Sequence, residues 1–447
     1  MATTVFVARE SDAAEPRVAA SVETVKRMKG LGFDVVVESG AGSRSGVADA
    51  GFEAAGARIG AISDAAAGDV VLKVRRPTAA EMKGYKRGAI VIAIMDPYGN
   101  EAAIAAMARA GLTAFAMELM PRITRAQSMD VLSSQANLAG YQAVIDAAYE
   151  YDRAMPMMMT AAGTVPAAKV FVMGAGVAGL QAIATAKRLG AAVSATDVRP
   201  AAKEQVASLG GKFIAVEDDE FKAAETAGGY AKEMSKEYQA KQAALVADHI
   251  AKQDIVITTA LIPGRPAPLL VTRDMLKSMK AGSIAVDLAV ERGGNIEGSV
   301  AGQVVEVEGV KVIGYDNVPG RVANSASALY AKNLYTFLDA LTDKETKTVQ
   351  VDMEDQIVKA TALTHDGKVV HPNFQSAATA EPETPQAVPG KATRKAVKGT
   401  EPGLDVAPKA KPKRAAPRKP KATSSGKGGR AAAPRQDAAA SSDKGDS

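Results

Sequence analysis

Short apolar runs alternate with longer Ala-rich segments along most of the chain. The runs have the length and the Val and Ile content of buried strands, and polar or glycine-containing turns bound them. The segments between the runs show the apolar spacing of helices. This alternation predicts βαβ units and a parallel sheet rather than a β-sandwich or a helical bundle.

The pattern predicts two series of strands and the helices between them. The first series comprises Thr4–Ala8, Asp34–Glu38, Val70–Val74, Ala89–Ile94 and Leu112–Ala116. The second series comprises Lys169–Met173, Ala192–Thr196, Asp254–Thr258, Ser283–Leu288 and Lys311–Tyr315. The main predicted helices are Val22–Leu31, Glu101–Ala110, Val131–Tyr151 and Ala323–Leu341. We expect the last helix to pack back on the first series of strands.

We therefore expect an α/β fold of two Rossmann-like, doubly wound parallel-sheet lobes with a cleft between them. Residues 1–130 and 320–375 would form the first lobe, and residues 131–319 the second. Residues 376–447 are rich in Ala, Pro, Lys, Gly and Ser and nearly lack large apolar side chains. Such a segment cannot bury enough surface to offset its chain entropy, so it is predicted to be a disordered tail.

Charge separates this tail from the rest of the chain. The tail holds 15 Lys plus Arg against 7 Asp plus Glu, whereas the first 375 residues hold 40 against 43. The net charge of +5 therefore comes from the tail, and the expected folded part is not a basic nucleic-acid binder. The tail is either a solubilising extension, the interpretation we favour, or a tether to anionic lipid.

The scarcity of cysteine and histidine removes several kinds of chemistry. The sequence has no Cys and only three His, namely His249, His365 and His371. Disulfides, thiolate metal sites, iron–sulfur clusters and cysteine nucleophiles are excluded, and we expect no metal site. No apolar run approaches the roughly 18 residues that span a bilayer. Since the N-terminal residues do not resemble a signal peptide, we expect a cytoplasmic protein.

A glycine-rich turn is the strongest local motif. A predicted strand leads into Gly174-Ala-Gly176-Val-Ala-Gly179, and an Ala-rich helix follows. In such turns the first glycine permits a tight bend, the second admits a pyrophosphate and the third lets helix and strand pack closely. The next strand ends at Asp197, whose carboxylate suits the ribose diol of NAD and repels the 2′-phosphate of NADP. We predict bound NAD(H), although Arg199 is a residue type that also receives a 2′-phosphate.

Longer motifs resemble one known family. They are MELMPRITRAQSMDVLSSQANLAGYQAV at 117–144, TDVRP at 196–200, GGYAKEMS at 228–235, TTALIPGRPAP at 258–268, DLAVERGGNIEGS at 287–299 and ASALYAKNLYTF at 326–337. With these motifs, residues 3–341 resemble the NAD(H)-binding component, called domain I or the alpha subunit, of proton-translocating NAD(P) transhydrogenase. This component is part of the alanine dehydrogenase/transhydrogenase family.

The resemblance implies which residues contact the nucleotide. The family's catalytic loop matches at Arg122, Gln127 and Asp130, with Ser133 beside the nicotinamide ribose. Further implied contacts are Ser128, Met129, Val177, Val198, Gly229, Tyr230, Gln242 and Leu261. The alternative for the loop is an ordinary polar segment in which Asp130 or Ser128 caps the following helix. Residues 216–242 are implied to contain a lid over the nucleotide, and a surface insertion is the alternative there.

The implied reaction is direct hydride transfer from NADH to NADP⁺, of the Si-specific, proton-translocating type. The resemblance implies that NADP(H) binds on a partner subunit and that a further, membrane-embedded subunit conducts protons. It also implies a homodimer, no nucleic acid, and peripheral association with the inner (cytoplasmic) membrane through these partners.

Alanine dehydrogenase has the same two-lobed fold and is the main alternative. The arginine of its substrate site matches Arg17, but the lysine position reads Arg75 and the histidine position falls near Met95 and Asp96. Oxidative deamination needs a general base near neutral pH, usually His or Lys. Transfer between two nicotinamides needs none, which favours the transhydrogenase. Lys73, two residues before Arg75, leaves a substitute arrangement open.

Overall fold

The computed structural model describes residues 2–222, 234–262 and 264–379. In chain order the described strands, β1 to β17, are Thr4–Val7, Asp34–Glu38, Arg58–Gly60, Val70–Arg75, Ile90–Ile94, Thr113–Ala116, Met158–Thr160, Gly163–Val165, Lys169–Met173, Ala192–Thr196, Lys212–Phe213, Ile255–Thr258, Ile284–Asp287, Gln303–Val307, Val310–Gly314, Ala362–His365 and Lys368–Val369. The described α-helices, α1 to α12, are Val22–Gly30, Asp49–Ala54, Ala79–Met82, Glu101–Arg109, Val131–Glu150, Val177–Arg188, Ala202–Ser208, Asp219–Lys222, Lys236–Ile250, Arg273–Ser278, Ala323–Ala340 and Gln356–Thr361. None of these helices is both long enough and apolar enough to cross a lipid bilayer.

The first sheet has eight strands in the order β3-β2-β1-β4-β5-β6-β16-β17. The six from β3 to β6 run parallel in the doubly wound order 3-2-1-4-5-6. β16 pairs antiparallel with β6, and β17 pairs antiparallel with β16. Because β16 and β17 follow the second sheet in sequence, this sheet is built from two separate parts of the chain.

The second sheet has seven strands in the order β11-β10-β9-β12-β13-β15-β14. Its first six strands are parallel and repeat the doubly wound order, while β14 is antiparallel to β15. In such sheets a ligand binds at the carboxyl ends of the strands, where the strand order reverses. The reversal lies between β1 and β4 in the first sheet and between β9 and β12 in the second.

Strand residues alternate between two apolar layers on the first sheet. Val5 and Val7 face the layer that contains Phe337 of α11. Phe6 faces the opposite layer, which contains Ile104 of α4. The aromatic rings of Phe115 and Phe337 meet edge to face at 5.1 Å between their centroids. Helix α11 therefore packs on the first sheet, as its apolar spacing predicts.

The prediction of a two-lobed, doubly wound α/β fold is confirmed. Each strand predicted from the sequence is present with bounds that differ by no more than one residue at either end. The sequence pattern did not reveal β3, β7, β8, β11, β14, β16 or β17. The boundaries proposed between the lobes, and the predicted disorder of residues 376–447, stay predictions.

Candidate functional site

The turn after β9 requires glycine at two of its three motif positions. Gly174 has φ of 107°, and a Cβ on it would lie 2.4 Å from Thr259 Oγ1. A Cβ on Gly179 would lie 1.8 Å from the carbonyl oxygen of Gly174. A Cβ on Gly176 would meet no atom within 4 Å. The fold itself does not need glycine at Gly176, so the open space there fits the close approach of a ligand phosphate.

Helix α6 starts at this turn with its first N–H groups uncapped by a side chain. Gly176 is the N-cap residue and offers no side-chain acceptor, and the first helical turn contains no acidic residue. These N–H groups lack partners within the helix, and the helix dipole favours an anion at this end. Val177 lies at the first helical position and is 40% exposed. The start of α6 is therefore suited to hold a pyrophosphate.

Asp197, just after β10, holds the glycine turn through its carboxylate. Asp197 Oδ2 accepts a hydrogen bond from the amide of Ala175 at 2.7 Å. Asp197 Oδ1 accepts from the amide and from Nε of Arg199, both at 2.9 Å. The Arg199 guanidinium also donates to the carbonyl of Ala175 at 3.1 Å. The arginine is therefore engaged with Asp197 and the turn, while the neighbouring Val198 is exposed.

Gln242 on α9 forms hydrogen bonds with two protein segments. Its Nε2 donates to Thr196 Oγ1 at 3.1 Å, and its Oε1 accepts from the amide of Val216 at 2.9 Å. Tyr238, one turn earlier on α9, donates its hydroxyl to the carbonyl of Val216 at 3.0 Å. In this structure Gln242 anchors the segment that follows β11. A nucleotide contact by Gln242 stays a prediction.

The loop after β6 carries the residues assigned to the nicotinamide. It contains two 3₁₀ segments, Met117–Leu119 and Thr124–Met129. Arg122, Gln127 and Ser128 are exposed, whereas Met129 is buried. Among the described residues, the side-chain amide of Gln127 has no hydrogen-bond partner. Its donor and acceptor are both available to a ligand.

Asp130 is the N-cap residue of α5. Its Oδ1 accepts from the amide of Ser133 at 2.9 Å, and its Oδ2 accepts from the hydroxyl of Ser133 at 2.5 Å. The capping role considered for this residue is therefore real, because the carboxylate stabilises the helix start. A carboxylate has about four acceptor positions, so capping leaves room for a further donor.

Helix α5 also contacts the phosphate turn, through a residue that sequence reasoning missed. A Cβ on Gly140 would lie 2.0 Å from the carbonyl oxygen of Ala178 in the first turn of α6. Nothing in the local sequence signals this contact, since a glycine inside a helix is read locally as a mild destabiliser. One helix thus touches both the loop of Gln127 and the turn of Gly176.

In the first lobe, Arg17 matches the substrate arginine of alanine dehydrogenase and forms a buried ion pair. Arg17 donates through Nε and Nη2 to the two carboxylate oxygens of Glu15, at 2.7 and 2.6 Å. Arg17 Nη1 donates to Gln135 Oε1 of α5 at 2.7 Å, and Arg75 Nε donates to Glu15 Oε2 at 2.8 Å. Burial acts to raise the pKa of Glu15, but the hydrogen bonds and charges of Arg17 and Arg75 outweigh it and hold that pKa below its usual value.

Lys73 lies in the same lobe between two carboxylates. Its side chain is 1% exposed, and Nζ lies 2.8 Å from Glu81 Oε1 and 3.5 Å from Glu10 Oε2. Burial raises the pKa of Glu10 in spite of the nearby Lys73 charge. Lys73 Nζ is buried and already engaged by both side chains, so it does not face a substrate. Lys73 is therefore unsuited as the general base of a deamination.

None of the three histidines lies at the carboxyl end of a parallel strand. His249 contacts Ser194 within β10, with 2.8 Å between Nε2 and Oγ. His365 contacts Thr113 at the opposite, amino end of β6, and His371 follows the antiparallel β17. Met95 lies near the position that holds the substrate-site histidine in alanine dehydrogenase, and it is buried.

The two lobes meet through residues that follow strands of both sheets. Asp96, after β5, forms an ion pair with Arg292, after β13. A Cβ on Gly264, in the loop after β12, would lie 2.9 Å from Cδ1 of Tyr98. These contacts bring the carboxyl ends of the two sheets toward each other, as expected for a cleft.

The implied lid is described only at its ends. Ser235 donates from its amide and hydroxyl to the two carboxylate oxygens of Glu220, at 2.5 and 2.7 Å. Gly229 and Tyr230, both predicted to contact the nucleotide, lie outside the described residues. Leu261, predicted to contact it from the loop after β12, is 53% exposed.

Most of the chain is similar to known proteins. Residues 6–139 match the family described as alanine dehydrogenase/PNT, N-terminal domain, and residues 143–372 match the corresponding C-terminal domain. The chain is 56% identical over 375 residues to the first part of NAD(P) transhydrogenase subunit alpha of Rhodospirillum rubrum, covering 82% of this chain and 98% of that protein. It is 30% identical over 379 residues to alanine dehydrogenase of Halomonas elongata, covering 82% and 94%. A solved transhydrogenase structure from Sinorhizobium meliloti is 72% identical, with a TM-score of 0.76, over 82% of this chain and 100% of that one.

Two doubly wound sheets with a phosphate turn and a strand-end acid define a two-lobed dinucleotide-binding protein. Matches to both domains cover most of the chain, and together with the 56% identical relative they decide the family. The chain belongs to the alanine dehydrogenase/PNT family.

Proposed function

We propose that this protein is the NAD(H)-binding subunit of a proton-translocating NAD(P)⁺ transhydrogenase. It would transfer hydride directly from NADH to NADP⁺ held on a partner subunit, with the Si-specific, proton-translocating type of activity. The greater identity to the transhydrogenase subunit than to alanine dehydrogenase, 56% against 30%, supports this assignment.

One structural observation carries the proposal. The second lobe presents groups that suit a dinucleotide, whereas in the first lobe the described residues place neither a histidine nor a free lysine at the positions of the alanine dehydrogenase substrate site. Arg17 and Lys73 are both buried and bound to carboxylates, and no histidine lies at the carboxyl end of a parallel strand. Direct hydride transfer needs no general base and fits this site, whereas oxidative deamination of an amino acid needs one.

The residues present fit NADH. The amides at the start of α6 would hold the pyrophosphate, and Asp197 would accept from the adenosine ribose in exchange for one of the three hydrogen bonds that Arg199 donates to it. Gln127 would orient the nicotinamide carboxamide, because one side-chain amide satisfies a donor and an acceptor at once. Bound NADH supplies the hydride, and the protein supplies orientation and exclusion of water.

The partners follow from the same proposal. The activity needs a subunit that binds NADP(H) and a subunit that conducts protons through the membrane. The Rhodospirillum rubrum relative is named as the first part of a subunit alpha, which supports an enzyme made of several polypeptides. We place this protein at the cytoplasmic face of the inner membrane, held there by those partners.

A second copy of the chain is the further expected partner. The hairpin of β7 and β8 presents apolar side chains to solvent, with Met158 43% and Met159 81% exposed, and Met157 just before it is 62% exposed. Tyr149, near the end of α5, is 86% exposed. Exposed apolar patches of this kind mark protein interfaces, which supports a homodimer.

Two assays separate this proposal from the alternative. The purified protein is mixed with an NADP(H)-binding transhydrogenase domain, and NADH-dependent reduction of NADP⁺ is followed. In parallel the protein alone is given L-alanine and NAD⁺. The proposal expects transfer between nucleotides and no oxidation of alanine, and the reverse result would establish the amino-acid dehydrogenase instead.

A further inference from the structure

Asn333 is a buried polar residue within the apolar part of α11. Its side chain is 7% exposed, and its helix neighbours Leu334, Phe337 and Leu338 are packed in the core of the first lobe. A primary amide in such surroundings costs free energy unless its donor and acceptor are both used. The partners of Asn333 therefore show what its burial achieves.

Both partners of Asn333 belong to the start of α5 and the loop before it. Asn333 Nδ2 donates to the carbonyl oxygen of Ser128 at 2.8 Å. Asn333 Oδ1 accepts from the hydroxyl of Ser134 at 2.7 Å. The two contacts lie on either side of Asp130, the N-cap residue. One side chain thus fixes the loop and the helix start relative to each other.

The Ser128 contact acts next to Gln127. The amide of Gln127 is exposed and has no hydrogen bond to the described residues, so its direction depends on the backbone that carries it. The same 3₁₀ segment is also held by Arg125, through an ion pair with Asp355 at 2.8 Å. The Arg125 side chain is 56% exposed, and exposed ion pairs restrain a backbone weakly. The buried contact from Asn333 is the stronger restraint.

We propose that Asn333 is a positioning residue for hydride transfer. It holds the Ser128 carbonyl, and through it Gln127, in the orientation that the nicotinamide requires, and Ser134 holds Asn333 in turn. This inference rests on the proposed function, because it assigns Gln127 to the nicotinamide. Asn333 itself need not touch the nucleotide.

The test compares three variants of the full chain with a matched control. Asn333→Ala removes both contacts, and Asn333→Asp keeps the acceptor but loses the donor to Ser128. Ser134→Ala removes the hydroxyl that supports Asn333, together with its longer contacts to the Val131 carbonyl and to Gln135 Nε2, both at 3.2 Å. The control is Ser327→Ala, also on α11, because Ser327 is 2% exposed and accepts from the amide of Val18 at 3.0 Å, away from the loop.

Two quantities are measured for each variant. The NADH dissociation constant is obtained by titration calorimetry, and the rate of hydride transfer by stopped flow with an NADP⁺-loaded partner domain. Misplacement of a reacting group by about 1 Å lowers a rate on the order of 100-fold. We expect Asn333→Asp and Asn333→Ala to lower the transfer rate at least about tenfold while the dissociation constant changes less than about threefold. Ser134→Ala should lower it less, and Ser327→Ala should leave it near the wild-type rate.

Transfer at the wild-type rate in a folded Asn333→Asp protein would overturn the inference. The inference would also be overturned if Ser327→Ala lowered the transfer rate as much as the Asn333 variants do. A weakening of NADH binding as large as the loss of rate would overturn it as well, because either result indicates only a structural role. If Asn333→Ala does not fold, Asn333→Asp and Ser134→Ala decide the question. A wild-type protein without transfer would instead refute the proposed function, and these variants would not be needed to show it.

Discussion

Gln127 and Asp130 lie three residues apart in the loop after β6, yet the fold uses them differently. Asp130 is engaged as the helix cap through Ser133, whereas the Gln127 amide is exposed and has no partner among the described residues. A substitution of Asp130 therefore changes both the stability of the helix and any contact with a ligand. A substitution of Gln127 changes only the contact with a ligand.

Replacing Gln127 with Asn should slow hydride transfer far more than it weakens NADH binding. The shorter side chain keeps the amide but moves it by about one C–C bond length, about 1.5 Å, which disturbs orientation more than affinity. Rapid-mixing transfer rates and NADH dissociation constants test this expectation. Gln205→Asn, an exposed site on α7, serves as the control, and loss of binding alone in Gln127→Asn would show that its role is misplaced.

Glu10 and Glu15, both buried in the first lobe, should respond differently when their charge is removed. Glu15 has a lowered pKa, so its ionised form stabilises the fold above the usual carboxyl pKa, and this contribution is lost as pH falls through the lowered value. Glu10 has a raised pKa, so ionising it opposes folding. At pH 7, Glu15→Gln should cost about 3–5 kcal/mol, since it leaves Arg17 buried without its partner. Glu10→Gln should cost less.

Urea unfolding across pH 3 to 7 measures this contrast. The difference in unfolding free energy between the wild type and Glu15→Gln should shrink only as pH falls below the usual carboxyl range of about 4 to 5, where wild-type Glu15 becomes protonated. Equal costs for the two variants at neutral pH would contradict the assignment of their pKa directions.

The local sequence was sufficient to predict the site residues that act within a single strand–turn–helix unit. Gly174, Gly179 and Asp197 form one turn with its flanking strand and helix, and their spacing carries the signal. Asn333 and Gly140 act on Ser128 and Ala178, which belong to other elements. No spacing rule links such pairs, so only the folded structure reveals them.

The central strands were predictable because parallel strands covered on both faces are continuous apolar runs. The strands that were missed are short or lie at sheet edges. β3 and β11 have three and two residues, and β14 and β17 are antiparallel edge strands. β16 joins β6 only after the chain has completed the second sheet. Such pairing depends on tertiary structure rather than on local pattern.

Helix α5 is the element that connects the two halves of the candidate site, and Gly140→Ala tests this connection. The added Cβ would meet the Ala178 carbonyl and force α5 and α6 apart. We expect a loss of about 1–3 kcal/mol in unfolding free energy together with weaker NADH binding. Gly30→Ala is the matched control, because a Cβ on this α1 residue meets no atom within 4 Å.

Gly30→Ala should be neutral or stabilising by about 0.5–1 kcal/mol, as expected for alanine in a helix. Thermal unfolding and NADH titration on both variants give the comparison. Unchanged NADH affinity in a destabilised Gly140→Ala protein would contradict a link between α5 and the phosphate turn.

On the scale of the whole molecule, the exposed hairpin predicts the assembly. Met159→Asp places a charge in the proposed homodimer interface and should yield monomers in size-exclusion chromatography with light scattering, because burying an unpaired carboxylate is costly. Ile62→Asp changes another exposed apolar residue, 47% accessible on the first lobe, and should leave the dimer intact. A monomeric wild type, or dimers in both variants, would contradict this interface.

Direct hydride transfer is the step on which the proposed function depends, and the fate of an isotope label reports on it. NADH carrying deuterium at the transferable C4 position is mixed in water with this protein and an NADP⁺-loaded partner domain, and the NADPH formed is analysed by mass spectrometry. Because a hydride that passes directly from one C4 atom to the other does not exchange with water, we expect the product to retain the deuterium. Product NADPH without the label would contradict direct transfer between the two nicotinamides.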